Sequence, residues 1–278
     1  MPDLHARKPS LWLHGSTGRM GQEIRKACAG EQHSGLHLIG GSSRRFEDFC
    51  GTGKVHGGLV VTAPNLGHSL RQVEWDLLLD FSTLAGNHLL LEALAQTAPL
   101  KGQAIVIGTT GLSRTDLGQW RTVAADHHLR LLFAPNTSVG ILLSVKAALL
   151  AAGPLSRLGF DIEIVETHHR LKKDAPSGTA KFLADTIAEG VGGLEVITNR
   201  SDARKAGELG VHAIRGGGVF GEHTIRMIGD SEEIAITHRA FSRGLFAQGA
   251  LVLGQWLLRQ PPGAYGILDV NLKDLGVH

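Results

Sequence analysis

The stretch that decides the fold is Ser10-Leu11-Trp12-Leu13-His14-Gly15-Ser16-Thr17-Gly18-Arg19-Met20-Gly21. Its first five residues are mostly apolar and predict a strand, and the pattern that continues to Ala29 predicts a helix. Between them lies a glycine turn with the spacing G-x-x-G-x-x-G, a variant of the G-x-G-x-x-G turn that binds dinucleotides. Strand, glycine turn and helix in this order predict a nucleotide-binding domain.

The three glycines of this turn have different expected tasks. Gly15 would permit the tight turn, and Gly18 would let the backbone approach a pyrophosphate at the helix start, where N–H groups favour an anion. Gly21 would let the helix pack closely on the strand. Glycine turns also occur without a ligand, so the turn alone does not establish a cofactor site.

The second predicted strand, residues 36–41, leads into Ser42-Ser43-Arg44-Arg45. NAD-selective sites usually place an Asp or Glu at this point, where it binds the adenosine ribose. The first carboxylate of this segment is that of Glu47. Two hydroxyls and two guanidinium groups suit a 2′-phosphate better, which predicts a preference for NADP over NAD. The alternative is a solvated pair of surface arginines.

Three further strands are predicted over residues 75–81, 104–107 and 129–133, and helical patterns separate them. This alternation predicts a parallel, doubly wound sheet. The turns Gly108-Thr109-Thr110-Gly111 and Ala134-Pro135-Asn136-Thr137-Ser138 follow two of these strands. Because such sheets bind ligands at the carboxyl ends of their strands, both turns are candidate ligand contacts.

The densest group of reactive side chains lies in Glu166-Thr167-His168-His169-Arg170-Leu171-Lys172-Lys173-Asp174-Ala175-Pro176-Ser177-Gly178-Thr179-Ala180. This stretch follows an alternating segment that predicts a strand, and it leads into a helix for which Ser177 is a suitable N-cap. The start of a helix beside cationic side chains favours an anion such as a carboxylate or phosphate. The histidines and lysines suit proton transfer. The alternative is a solvated basic loop.

The second half of the chain predicts an α+β domain with a mostly antiparallel sheet. One strand is predicted over residues 161–167, and residues 198–210 are predicted to form a polar loop. A helix over residues 242–258 is expected to return the chain to the first domain. Three neighbouring strands with short turns are expected over residues 211–215, 221–228 and 233–238.

Composition narrows the class of protein and its setting. The 278 residues include 28 Lys and Arg and 26 Asp and Glu, a balance that argues against nucleic acid as the main partner. No apolar stretch is expected to reach the length of a membrane span, and residues 1–9 lack an apolar targeting segment. The two cysteines, Cys28 and Cys50, are too few for a disulfide framework or a closed zinc site. We therefore expect no metal, no membrane and a cytoplasmic location.

Together these motifs resemble those of the 4-hydroxy-tetrahydrodipicolinate reductase (dihydrodipicolinate reductase) family of lysine and diaminopimelate biosynthesis. The resemblance covers essentially the whole chain, and residues 168–180 are its most specific part. It implies a Rossmann-like dinucleotide-binding domain over residues 1–137 and 243–278. It also implies that residues 138–242 form the domain for substrate binding and oligomerisation, within a homotetramer.

The resemblance implies a role for each motif. His168 and Lys172 match the family's proton-donor pair, and His169 matches a substrate contact. Gly178 and Thr179 match the residues that bind a substrate carboxylate. The implied cofactor contacts are Gly15, Ser16, Thr17, Gly18, Arg19, Met20, Ser43, Arg44, Arg45, Gly108, Thr109, Thr110, Ala134, Pro135, Asn136 and Thr137.

The implied reaction transfers a hydride from the nicotinamide to a cyclic dicarboxylate substrate and yields tetrahydrodipicolinate and water. Electron density that the hydride brings into a conjugated carbon–nitrogen system must be quenched by an acid, and imidazole exchanges protons near neutral pH. The family often has an acid at the position of Ser43. The absence of an acid at this position favours NADPH, with NADH also usable. The alternatives are another NADP-dependent dehydrogenase of an amino-acid pathway and an NADPH-sensing protein without turnover.

Overall fold

The computed structural model describes residues 7–29, 35–43, 54–55, 58–62, 66–96, 100 and 102–275. The chain divides into two compact units. The first unit comprises Met1–Ser138 and Gly244–His278, and the second unit comprises Val139–Arg243.

Strands and helices alternate along most of the chain. The strands are β1 (Ser10–His14), β2 (His37–Ser43), β3 (Lys54–Val55), β4 (Gly58–Thr62), β5 (Leu77–Asp80), β6 (Ala104–Ile107), β7 (Arg130–Phe133), β8 (Asp161–His168), β9 (Glu195–Thr198), β10 (Glu208–Arg215), β11 (Gly221–Ile228), β12 (Glu233–Ala240) and β13 (Gly263–Gly266). The helices are α1 (Arg19–Ala29), α2 (Leu66–Gln72), α3 (Leu84–Ala95), α4 (Arg114–Asp126), α5 (Val139–Arg157), α6 (Gly178–Val191) and α7 (Gly244–Leu258).

The sheet of the first unit has the strand order β13-β7-β6-β5-β1-β2-β4-β3. Its described strand pairs are parallel, except that β3 is antiparallel to β4. The central order β4-β2-β1-β5-β6-β7 is that of a doubly wound dinucleotide-binding sheet, so the predicted fold class is confirmed. Because these strands are parallel, the loops after β1, β2, β5, β6 and β7 leave the same edge of the sheet.

The central strands are apolar because helices cover both faces of the sheet. On one face Trp12 and Leu78 are fully buried in a cluster with Trp120 of α4. On the other face Leu77 contacts α7, where a Cβ added to Gly254 would lie 2.5 Å from a Leu77 methyl group. Each buried leucine of this kind contributes roughly 1.5–3 kcal/mol relative to an exposed one. The packing of these strands fixes the edge at which the loops are presented.

The second unit contains a five-stranded mixed sheet with the order β12-β11-β8-β10-β9. Strand β8 pairs antiparallel with β11 and parallel with β10. On one face Ile162 and Ile164 of β8 pack with buried residues of α5 and α6. Since side chains alternate along a strand, Glu166 and His168 lie on this same helix-covered face.

The order of strands differs in one respect from the sequence-based expectation. Strands β10 and β11 follow one another along the chain, but β8 lies between them in the sheet. The parallel pairing of β8 and β10 needs a crossover connection, which contains α6. In addition, the predicted polar loop of residues 198–210 contains the end of β9 and the start of β10.

Helix α5 combines length with high hydropathy. It has 19 residues and a mean hydropathy of 1.7, enough to cross a membrane by length and composition. The prediction that no apolar stretch approaches this length is therefore wrong. However, Ile141, Val145, Ala148 and Ala152 repeat at helical spacing and are buried in the core of the second unit. A core helix passes the same test, so α5 is weak evidence for a membrane span.

Candidate active site

The glycine turn of the first unit is a close-packed backbone cradle. Gly15 has φ +81°, and a Cβ at this position would lie 2.5 Å from the carbonyl oxygen of Phe81. A Cβ at Gly21 would lie 2.7 Å from the carbonyl group of Ser16. Helix α1 begins at Arg19, directly after the turn. The turn therefore brings backbone to the start of a helix, as a pyrophosphate site requires.

The end of β2 lies against this turn. The hydroxyl oxygens of Thr17 and Ser43 are 2.6 Å apart, and the side chain of Ser43 is buried. Ser43 therefore occupies the place beside the glycine turn where a ribose-binding carboxylate is common. The predicted arginine pair, Arg44 and Arg45, lies outside the described residues.

Two more of the predicted cofactor turns leave the same edge of the first sheet. The turn Gly108–Thr110 follows β6, and a Cβ at Gly108 would lie 2.5 Å from the ring of Phe81. The turn Ala134–Thr137 follows β7 and is held from within the first unit, because the hydroxyl of Thr137 donates to the carbonyl of Phe246 at 2.8 Å. Because the strands are parallel, the turns after β6 and β7 lie at the same edge of the sheet as the glycine turn after β1.

The predicted proton donor of the second unit is the last residue of β8. His168 is 7% exposed, and its Nδ1 lies 2.5 Å from Oε2 of Glu166. The two side chains meet because they are two residues apart on one strand and share a face. His169 follows the end of the strand, and its amide donates to the carbonyl of Val219 at 2.7 Å. Because β8 ends at His168, the rule that neighbouring strand residues face opposite sides does not apply to His169.

Glu166 is fully buried and is surrounded by donors. Arg215 of β10 donates to both carboxylate oxygens, at 2.9 and 2.8 Å, and the amide of Ser177 donates at 2.9 Å. Burial by itself raises the pKa of this carboxyl, but the hydrogen bonds from His168, Arg215 and Ser177 outweigh it and lower the pKa to about 2. The group is therefore a carboxylate throughout the working pH range.

The start of α6 forms the candidate anion site. Ser177 is its N-cap, as predicted, and its hydroxyl accepts a hydrogen bond from the amide of Ala180 at 3.1 Å. Gly178 and Thr179 form the first turn, and Gly178 is exposed. Glu166 contacts both His168 and the amide of Ser177, so one carboxylate connects the predicted proton donor to the predicted anion site.

Lys172 lies in the loop between β8 and α6. Its ammonium is 2.9 Å from a carboxylate oxygen of Asp174, and its amide donates to the carbonyl of His169 at 3.1 Å. Burial raises the pKa of Asp174, but the hydrogen bond from Lys172 contributes to a net lowering. The predicted second proton donor therefore has an anionic partner in the same loop.

His223 of β11 is a third histidine at this place. Its ring stands edge-on to that of His168, with 5.2 Å between the centroids, and its Nε2 lies 3.1 Å from the hydroxyl of Ser177. Burial, followed by the nearby charge of His168, lowers the pKa of His223 to about 3. It is therefore neutral at neutral pH.

Sequence reasoning did not assign a role to three of these neighbours. They are Glu166, Arg215 and His223. The alternation along β8 could have placed Glu166 beside His168. Nothing local to Arg215 indicates its partner, because the contact depends on the parallel pairing of β10 with β8.

Comparisons with known proteins find relatives that match most of this chain. The family model described as dihydrodipicolinate reductase, N-terminus, matches residues 10–137, and the one described as dihydrodipicolinate reductase, C-terminus, matches residues 140–270. A 4-hydroxy-tetrahydrodipicolinate reductase of Methanosarcina mazei is 36% identical over 260 residues, 92% of this chain and 96% of that protein. One of Syntrophobacter fumaroxidans is 37% identical over 271 residues, 91% of this chain and 95% of that protein.

A solved structure with the same fold is also similar in sequence. The dipicolinate-bound dihydrodipicolinate reductase of Paenisporosarcina sp. TG-14 is 25% identical, with a TM-score of 0.74. The match covers 95% of this chain and 99% of that one. The similarity therefore extends over both units.

Proposed function

This chain belongs to the dihydrodipicolinate reductase family, and we propose that it performs the family's reaction with NADPH as the preferred reductant. It is an oxidoreductase of lysine and diaminopimelate biosynthesis that reduces 4-hydroxy-tetrahydrodipicolinate to tetrahydrodipicolinate. The reduced nicotinamide supplies the hydride. Substrate, reduced cofactor and one proton are consumed, and product, oxidised cofactor and one water are released.

The observation that carries this function is the contact of Glu166 with both His168 and the start of α6. A cyclic dicarboxylate needs an anion site for a carboxylate and an acid for the proton. The start of α6 supplies the first, with Gly178 and Thr179 as the binding residues. His168 and Lys172 supply the second, and His169 contacts the substrate ring.

The first unit would hold the cofactor. The cradle around Gly15, Ser16, Thr17, Gly18, Arg19 and Met20 fits a pyrophosphate, because it brings backbone to the start of α1. The turns Gly108–Thr110 and Ala134–Thr137 would line the nicotinamide end, since they leave the same edge of the sheet.

The proposed preference for NADPH depends on the residues at the end of β2 and directly after it. Ser43 places a hydroxyl, and not a carboxylate, next to the glycine turn. A neutral group there does not repel a 2′-phosphate, and the sequence continues with the cationic Arg44 and Arg45. NADH remains usable, because the hydroxyls can also bind a ribose.

We also propose that the protein is a cytoplasmic homotetramer assembled through the sheet of the second unit. The face of this sheet opposite α5 and α6 carries Glu163, His212, Glu222 and Arg226, since these residues alternate along their strands with residues of the helix-covered face. The mass of the purified protein in solution tests this assembly.

The reaction is tested by the loss of NADPH absorbance on addition of freshly generated 4-hydroxy-tetrahydrodipicolinate, with identification of the product by mass spectrometry. We expect turnover with both reduced cofactors and a higher kcat/KM for NADPH. Tight NADPH binding without turnover would favour an NADPH sensor. Turnover only with another amino-acid precursor would favour a different dehydrogenase.

A further inference from the structure

The carboxylate of Glu166 has an exposure of 0%, and its hydrogen bonds fix its position beside His168. A buried charge must be paired, and Arg215 supplies a bidentate partner. The amide of Ser177 provides a third donor, to Oε1. Oε2, which also accepts from Arg215, makes the contact with Nδ1 of His168. The hydrogen bonds from Arg215 and Ser177 thus fix the orientation of the carboxylate toward the imidazole.

We propose that Glu166 is a positioning residue that determines which nitrogen of His168 transfers the proton. An ionised carboxylate only accepts hydrogen bonds, so Nδ1 of His168 must carry a hydrogen to make the 2.5 Å contact. Nε2 is then the nitrogen that gives its proton to the substrate. After the transfer, the neutral ring keeps its hydrogen on Nδ1. This inference rests on the proposed role of His168 as proton donor.

The surroundings of Nε2 agree with this assignment. A Cβ added to Gly221 would lie 3.0 Å from Nε2 of His168, closer than to any other non-neighbouring atom. Glycine at this position therefore leaves space beside the nitrogen that we assign to proton transfer. Nδ1, by contrast, is occupied by Glu166.

The charged and titratable groups around His168 come from several elements. Strand β8 supplies Glu166, β10 supplies Arg215 and β11 supplies His223, which stays neutral because of its low pKa. The loop before α6 adds the pair of Lys172 and Asp174. Arg215 donates to the carboxylate of Glu166 and to the backbone carbonyl of Asp174. Glu166 is the carboxylate in direct contact with the imidazole. Removal of its charge should disfavour the protonated imidazole.

The direct test is nitrogen-15 NMR of His168 in the native protein, at a pH where the ring is neutral. The two tautomers have different nitrogen shifts and couplings. We expect the hydrogen on Nδ1. A hydrogen on Nε2 would overturn the proposal, and this measurement needs neither turnover nor a substituted protein.

The second test is Glu166→Gln. Arg215 and the amide of Ser177 compete for the single amide oxygen of glutamine, so its NH2 group would face Nδ1 and reverse the tautomer. We expect kcat to fall by roughly 100-fold or more, with a smaller rise in KM. The alkaline limb of the pH profile should move to lower pH. Native kcat with an unchanged profile would contradict the proposal.

The matched control is Glu163→Gln. Glu163 is on the same strand and also contacts a histidine and an arginine, with Nε2 of His212 at 2.6 Å and Arg200 at 2.8 Å. These contacts lie on the opposite face of the sheet. We expect native kcat and an unchanged pH profile, with the solution mass as a check on assembly. An equal loss in both variants would mean that the effect is structural and would reject the proposal.

The outcomes also separate this inference from the proposed function. If His168→Ala keeps native turnover, the proton-donor role fails, whatever the tautomer. If His168→Ala is inactive but NMR finds the hydrogen on Nε2, the role of His168 stands and that of Glu166 fails. If Glu166→Gln does not fold, the NMR measurement on the native protein decides.

Discussion

The hydroxyl oxygens of Thr17 and Ser43 lie 2.6 Å apart, which joins the glycine turn after β1 to the end of β2. The two residues are 26 positions apart in the sequence, and the parallel pairing of β1 with β2 brings them together. This contact places Ser43 at the point where dinucleotide-binding sites distinguish the ribose 2′-hydroxyl of NAD from the 2′-phosphate of NADP. Cofactor choice can therefore be tested at a single described side chain.

Ser43→Asp should reverse or abolish the preference for NADPH. A carboxylate there would repel the 2′-phosphate and could bind the ribose hydroxyls of NADH. We expect the ratio of kcat/KM for NADPH to that for NADH to fall by about 10- to 100-fold, or about 1.4–2.8 kcal/mol. Steady-state kinetics with each cofactor gives this ratio.

Ser43→Ala is the control for the lost hydrogen bond, because it removes the contact with Thr17 without adding a charge. It should change both cofactors' kcat/KM to a similar degree. A ratio that stays constant in Ser43→Asp would show that Ser43 does not contribute to cofactor choice.

His168→Ala and Lys172→Ala should each lose turnover and retain NADPH binding. Loss of a general acid typically costs about 100- to 10,000-fold in rate. Single-turnover kinetics and NADPH fluorescence titration measure the two quantities separately. Lys173→Ala is the matched control, since Lys173 is an exposed neighbouring cation. Turnover near the native level in either of the first two variants would remove that residue from the proposed proton-donor pair.

His223 should make the protein less stable in mild acid. Its pKa is lowered from 6.5 to about 3 on folding, so the unfolded chain binds a proton that the folded state rejects. The free energy of unfolding is therefore unaffected by this group above pH 6.5 and falls as the pH drops from 6.5 toward 3. The slope is about 1.4 kcal/mol for each pH unit in the middle of that range.

His223→Gln removes this titration. We expect its denaturation midpoint to fall less steeply than that of the native protein between pH 6 and pH 5, as followed by urea unfolding. Above pH 7 the two proteins should show the same pH dependence, which serves as an internal control. Equal slopes in the acid range would mean that His223 does not become buried in its neutral form.

Gly15→Ala should affect both stability and cofactor binding. Alanine at φ +81° is strained, and its Cβ would lie 2.5 Å from the carbonyl oxygen of Phe81. Gly111→Ala separates these two effects, since Gly111 has φ +86° and no atom lies within 4 Å of the added Cβ. We expect a loss of about 1–2 kcal/mol for Gly111→Ala, from backbone strain alone.

Gly15→Ala should lose more unfolding free energy than Gly111→Ala, because the turn must also move away from Phe81. It should weaken NADPH binding as well. Thermal unfolding and fluorescence titration of both variants measure these changes. Equal stability losses with native NADPH affinity would argue that the cradle does not depend on close backbone approach at Gly15.

The elements of the first unit were largely predictable from local sequence. The apolar runs that became β1, β5, β6 and β7 are bounded by turns and helical patterns, and both signals are local. The strand order in the second unit was less predictable. Strand β8 lies between β10 and β11, and the crossover that contains α6 sets this arrangement by long-range packing.

The sequence by itself determined the family, the glycine turn and the residues of the His168–Ala180 motif, because these features depend on residue type and short spacing. Only the tertiary structure decided what surrounds the proton donor. Arg215 is 49 residues from Glu166, and it reaches this carboxylate only through the register of β10 against β8. His223 arrives from the other side through β11. Strand register results from packing over the whole unit, and no local pattern specifies it.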